Sequence, residues 1–144
     1  MILLDTTILV YAVGDPHPLQ QPCRGLIGLI SEGDIEATTT TEVIQEFAHV
    51  RSRRRTRGDA TKLARDYAGL LQPLARVEEV DLLDGLGIFE AVPQIDAFDA
   101  ILAAVTRRNG FEALVSADRG FGSVAGLRWE EPEGAWQRLR SNKL

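Results

Sequence analysis

An aspartate interrupts the first apolar segment of the chain. The run Ile2-Leu3-Leu4 stops at Asp5, passes through the hydroxyls of Thr6 and Thr7, and resumes as Ile8-Leu9-Val10. A short apolar run bounded in this way reads as a strand buried on both faces, and TTILVYAV after it as a short helix closed by the breaker cluster GDPHP. A buried carboxylate is costly unless something pairs with it or coordinates it. Any fold for this chain must therefore bring a partner to Asp5.

The same alternation continues downstream. LQQPCRGLIGLISEGD reads as a helix, IEAT as a second strand, and TTEVIQEFAHVRSRRR and ATKLARDYAGLLQ as two helices divided at Gly58-Asp59. RVEEVD is a weaker third strand candidate. LLDGLGIFEAV and IDAFDAILAAVTRRNG are helical, the latter ending on Asn-Gly. EALVSAD is an apolar strand, LRWEEP a short edge strand, and Gly134–Arg140 a final helix. Strands alternating with helices predict an α/β fold: a central, mostly parallel sheet of four to five strands with helices on both faces. The 144 residues fit one domain, 1–144.

In sheets of this kind ligands bind beyond the carboxyl ends of the strands. Asp5 ends the first strand and Asp118 ends ALVSAD, which places both on one rim. Each also has a plain structural reading, Asp5 as a helix N-cap and Asp118 as the head of an Asx turn. Asp96 and Asp99 open a later helix three residues apart, on the side away from Phe98, Ile101, Leu102 and Val105; capping and the helix dipole would account for them equally well. Glu42 and Glu46 lie one turn apart. With Val43, Phe47 and Val50 facing inward, Glu46 falls roughly 70° from the middle of the buried face and Glu42 roughly 110°. Glu46 is thus the better placed to reach the rim, whereas TTTE from Thr39 to Glu42 matches a capping box.

Several chemistries lack their signatures. There is no phosphate-binding glycine loop and no G-x-S-x-G elbow, and His17 and His49 have neither metal-ligand spacing nor a nucleophile beside them. Cys23 is the only cysteine, so no internal disulfide forms. A strand-end Asp phosphoacceptor would want a second Asp near the first strand and a later lysine, yet no lysine lies between Lys62 and Lys143. What remains is a set of carboxylates with hydroxyls beside them, an oxygen-only donor set suited to Mg²⁺ or Mn²⁺. No apolar run approaches the ~20 residues of a membrane span, and no basic leader precedes an apolar stretch; a cytoplasmic location without membrane contact is expected.

Four stretches, LLDTTILVYA, TTEVIQEFAHV, DAILAA and LVSADRGF, resemble in order and spacing the acidic motifs of PIN-domain nucleases, and most of all VapC-type toxins of toxin–antitoxin systems. The resemblance runs from Ile2 to about Phe121. It implies a three-layer PIN-like nuclease domain and one acid per motif, Asp5, Glu46, Asp99 and Asp118, serving both as metal ligands and as the catalytic set. Thr6 and Ser116 would support them, and Asp96 would assist a second metal or cap its helix. Thr7 stands where the family often has Asn or Ser. The implied activity is a Mg²⁺- or Mn²⁺-dependent endoribonuclease that leaves a 5′-phosphate and a 3′-hydroxyl, with a cognate antitoxin and a homodimer as further expectations. The alternative is a catalytically silent PIN-like module that binds RNA or protein.

A net charge of −5 sits poorly with nucleic-acid binding. The positive charge is, however, concentrated in RSRRRTR. Arg51, Arg53, Arg54 and Arg55 could touch RNA phosphates or an antitoxin; the plainer reading is a solvated, dipole-favoured helix end.

Overall fold

A computed structural model describes residues 1–143. Its sheet has four strands, β1 (Ile2–Leu4), β2 (Ala37–Thr38), β3 (Leu114–Val115) and β4 (Trp129–Glu130), in the order β2-β1-β3-β4. Every pairing is parallel, with Leu3 opposite Thr38, Leu4 opposite Val115, and Val115 opposite Glu130. The strands are very short. All three residues of β1 are buried, and since successive side chains point to opposite faces, both faces of the sheet are covered.

Seven α-helices form the cover: α1 (Thr6–Val13), α2 (Gln20–Ser31), α3 (Thr41–Arg54), α4 (Arg57–Leu71), α5 (Glu79–Ala91), α6 (Ala97–Asn109) and α7 (Pro132–Asn142). Helix α1 packs on α2 and α3, α2 on α7, α3 on α4, and α5 on α6. Trp136 of α7 lies against Gly25 of α2, where even a Cβ would strike the indole, so this tryptophan is an intrachain packing residue.

Several sequence expectations are corrected. RVEEVD is not a strand. Glu78 instead caps α5 in a reciprocal box with Asp81, so the segment turns into helix. The break between α3 and α4 falls at Arg55-Thr56 rather than Gly58-Asp59, because the Thr56 hydroxyl accepts from Asp59 N and starts α4 early. Thr39 and Glu42 form no capping box. Thr40 is the N-cap, accepting from Val43 N at 3.1 Å, while the Thr39 hydroxyl donates to Leu4 O at 2.7 Å and ties β2 to the end of β1.

The α5–α6 pair matters most for the site, because α6 carries Asp99. Gly85 permits the approach: a Cβ there would lie 2.7 Å from Ile101 Cα, closer than side-chain atoms tolerate. The fully buried Asp81 carboxylate receives Arg108 Nε at 2.6 Å and Nη2 at 2.9 Å, along with Glu78 N at 2.8 Å. Burial works to raise the Asp81 pKa, but these donors outweigh it and hold the carboxyl below its ordinary value. Nothing in the sequence pattern announced this clamp.

Removing Arg108 would leave a buried charge unpaired. Arg108→Met is expected to cost about 3 kcal/mol, the low end for such a loss because the guanidinium is partly open to water. Chemical denaturation measures it, and a change within about 0.5 kcal/mol would show that the clamp is not stabilising α5 on α6.

Candidate active site

Because all four strands run the same way, their carboxyl ends share one rim, and Asp5 follows β1 directly. It is 4% exposed. Asp5 occupies the N-cap position of α1, where the backbone amides of Thr6 and Thr7 lie close enough to favour its charged form although no cap hydrogen bond of good geometry forms. Two hydroxyls hold it. Ser116 Oγ donates to Asp5 Oδ2 at 2.6 Å and Thr7 Oγ1 donates to the same oxygen at 2.9 Å. Each hydroxyl is itself oriented by a backbone amide, Thr7 by Ala117 N at 3.0 Å and Ser116 by Asp118 N at 3.0 Å. Trp129 Nε1 donates to Ser116 O at 3.0 Å, tying this loop to β4. Both hydroxyls fall on Oδ2, and neither reaches Oδ1.

This arrangement revises the reading of the two threonines. Thr7, passed over in the sequence as a departure from the family pattern, is the residue that grips Asp5. Thr6 makes a different contribution: its buried hydroxyl meets no acceptor in good hydrogen-bond geometry among the described residues, yet lies near enough to Glu46 to favour that acid's charged form. A hydroxyl so placed is normally satisfied.

Asp118 is both a rim residue and the head of a turn, its Oδ1 accepting from Gly120 N at 2.8 Å. Gly120 passes close to the loop before α6, where a Cβ would lie 2.5 Å from Gln94 O. That contact brings the start of α6 to the rim. Asp96 there is the N-cap, accepting from Asp99 N at 2.8 Å. Asp99 faces the other acids. Its burial, and then the charges of Asp5, Asp96 and Asp118, push its pKa up to about 8, and Asp118 is close enough to accept a proton that Asp99 holds. Glu46 of α3 enters from the other side. The residue is exposed as a whole, but partial desolvation of its carboxyl raises its pKa, followed by the charges of Asp5 and Asp96, against the nearby Thr6 hydroxyl, which favours its charged form. Burial likewise raises Asp5, against the Ser116 and Thr7 hydrogen bonds that favour its charged form.

Asp5, Glu46 and Asp99 border one cavity of about 200 Å³, and Glu42 borders it as well. Asp118 adjoins it through Asp99. None of these acids, nor Asp96, has a Lys or Arg partner among the described residues. Nor, among those residues, are three of them already drawn tightly around one point. Uncompensated carboxylates repel one another, and a divalent cation would offset that repulsion. The donor set fits Mg²⁺ or Mn²⁺: hard carboxylate oxygens, with the buried Thr6 hydroxyl at their edge.

The family model of the PIN domain matches residues 2–127. The chain belongs to the PIN-domain family. Among its relatives, Ribonuclease VapC7 of Mycobacterium tuberculosis is 47% identical over 136 residues, covering 94% of each chain. Ribonuclease VapC13 of the same species is 30% identical over 131 residues, covering 89% of this chain and 98% of the relative. Two solved structures share the fold. VapBC2 from Rickettsia felis, bound to a DNA fragment from its promoter, superposes with a TM-score of 0.70 at 17% identity over 91% of this chain and 98% of that one. DNA-bound VapBC from Salmonella typhimurium gives 0.69 at 12% identity, over 91% and 97%. This PIN domain carries an acid in each of the four places that the sequence singled out.

The arginine cluster divides. Arg51 donates to Asp59 at 2.6 Å and to Val13 O at 2.9 Å, so it bolts α1, α3 and α4 together and is not free for a phosphate. Arg55 pairs with Asp15 at 2.8 Å. Arg53 and Arg54 are exposed. Phe98 also departs from expectation: it does not face the core but stands 75% exposed beside Asp99.

An acid whose pKa is raised by folding takes up a proton as the chain folds. The stability that Asp99 contributes is complete below its ordinary value of 3.8 and is lost as pH rises through about 8. In metal-free protein, Asp99→Asn is therefore expected to raise Tm more at about pH 8.5 than at about pH 5.5, because Asn keeps a donor toward Asp118 without the charge. Thermal melts in a chelator test this; an equal gain at both pH values would show that charge repulsion at Asp99 is not the cause.

Proposed function

We propose that this PIN domain, acting as a single nuclease domain over residues 1–144, is a Mg²⁺- or Mn²⁺-dependent endoribonuclease and the toxin of a toxin–antitoxin pair. The observation that carries the reading is the convergence of Asp5, Glu46, Asp99 and Asp118 on one rim without a Lys or Arg to offset them. The relatives named as VapC ribonucleases support RNA as substrate, and the two VapBC structures support an antitoxin partner.

In this reading the four carboxylates hold the metal, and Thr6 and Ser116 support them. A bound divalent ion lowers the pKa of a water and offsets charge building on the scissile phosphate. Asp5 is presented by a pinned Oδ2, which leaves Oδ1 for coordination. Asp99, raised in pKa by burial and by the neighbouring acids, would have to be ionised to serve as a metal ligand. Glu46, raised in pKa and at the mouth of the cavity, is the acid best placed to receive a proton from the attacking water. Water adds to phosphorus in line, the 3′ oxygen of the preceding nucleotide leaves and takes up a proton, and the products carry a 5′-phosphate and a 3′-hydroxyl. Asp96 is a helix cap that adds negative charge to the site.

End mapping of total RNA incubated with purified protein and Mg²⁺ tests the assignment. Asp5→Asn and Glu46→Gln should each lower cleavage by more than about a hundredfold with the fold intact, since even residues behind metal ligands cost ten- to a hundredfold. Glu42→Gln should leave cleavage nearly unchanged. Undiminished cleavage by Asp5→Asn would remove the assignment, and loss in Glu42→Gln but not Glu46→Gln would move the role to the other glutamate. Wild-type protein that binds RNA without cutting it would be the silent module instead.

A homodimer belongs to the same reading. Leu82, Leu83, Leu86 and Phe89 lie within about 120° on α5, all exposed, opposite the buried Asp81, Gly85 and Ile88. Such a face on a domain of this size is characteristic of an interface. Light scattering should give a dimer for the wild type and a monomer for Leu83→Asp/Phe89→Asp; a monomeric wild type would count against this part alone.

A further inference from the structure

The cavity beside the acids is not an acidic cleft. Beside the acids Asp5, Glu42, Glu46 and Asp99, its lining includes the apolar side chains of Val43, Val77, Ile101 and Leu102 and the ring of Phe98. A metal and a phosphate need none of these apolar residues. Phe98 is the anomaly: it is an aromatic ring three-quarters exposed, next to a catalytic carboxylate in sequence and in space. It also borders a second, more open groove lined by Glu42, Gln45, Glu46, His49 and Asp96. The ring therefore stands on the ridge between the two hollows.

We propose that Phe98 and the apolar wall behind it bind an unpaired nucleobase flanking the scissile phosphate, stacking it on the ring so that the phosphate is held at the acids. This rests on the endoribonuclease reading and deepens it by naming a specificity and positioning residue. The chain carries a net charge of −5 and concentrates acids at the rim, so long-range attraction to a polyanion is weak. Affinity must come from contacts that do not depend on charge, and stacking of bases on aromatic rings is the largest such contribution for single-stranded nucleic acid. About 200 Å³ admits one heteroaromatic ring system, against water's share of roughly 30 Å³ per molecule. A protein partner's side chain would also bury Phe98, and that is the competing outcome of the test; Val43 and Leu102 behind the ring already belong to the core.

The probe is a randomised single-stranded RNA of about eight nucleotides with 2-aminopurine in place of adenine, a length within the usual span of such sites. Binding is followed by fluorescence with Ca²⁺ replacing Mg²⁺, and cleavage by initial rates with Mg²⁺. Phe98 makes little packing contact, so Phe98→Ala folds as the wild type does. Wild-type protein should quench the probe. Phe98→Ala should lose that quenching and raise KM between about five- and a hundredfold with kcat nearly unchanged, while Phe98→Tyr retains both properties. Quenching and KM unaffected by Phe98→Ala overturn the proposal and leave the ring to a protein partner. If quenching depends on Phe98 but no RNA is cut, the base platform stands and the hydrolytic reading falls. If cutting depends on Asp5 while nothing depends on Phe98, the reverse holds.

Discussion

The hydrogen bonds from Ser116 and Thr7 to one oxygen of Asp5 are the contact on which the site depends. They join residues 111 positions apart in sequence, through Ser116, with two positions apart, through Thr7. Backbone amides of Ala117 and Asp118 hold the two hydroxyls in turn, so the ends of β1 and β3 become one polar unit inside an otherwise apolar rim. A carboxylate buried to this degree would normally protonate or draw a positive side chain to itself. Here it gains two neutral donors, which lower the cost of its charge without cancelling it. The remaining negative charge stays available to a cation.

The rest of the fold can be understood as bringing three more carboxylates to that point. Gly120 lets the β3 loop approach the residues before α6, and the Asp96 cap starts α6 with Asp99 in its first turn. Gly85 and the Asp81–Arg108 clamp hold α6 in place from behind through α5. Thr39, hydrogen-bonded to Leu4 O, sets where the chain leaves β2 and hence where α3 delivers Glu46. Raised pKa values at Asp5, Glu46 and Asp99 are the consequence. Stability is given up at the rim and recovered in the buried clamps around it, the usual pattern where a site works by unrelieved charge.

The division of labour among the arginines follows the same logic. A run of basic residues invites a nucleic-acid reading, but Arg51 spends its hydrogen bonds on Val13 O and Asp59 within the fold. Arg55 pairs with Asp15, which leaves Arg53 and Arg54 as the exposed members of the run. The apolar part of the acid cavity's lining, with Phe98 at its edge, is the surface proposed to hold a base.

The place of Asp5 directly after β1 was legible in the sequence because it rests on a local rule, an apolar run too short for a helix and then an acid. Asp118 was expected at the end of the strand EALVSAD, but β3 stops at Val115 and Asp118 lies three residues beyond it as the head of a turn. The alternation of strands and helices made the parallel sheet legible too, and with it the shared rim. Helical spacing put Glu46 nearer the buried face than Glu42, but in the fold both are exposed and both border the acid cavity. What lies between distant segments was not legible. That Thr7 rather than Thr6 grips Asp5, that Arg51 is a bolt, that RVEEVD turns into helix under the Asp81–Arg108 clamp, and that Phe98 faces the cavity were each decided by a partner contributed from elsewhere in the chain. One-residue hydroxyl choices and the fate of a charge depend on which donor arrives within about 3 Å, and only the folded chain determines that.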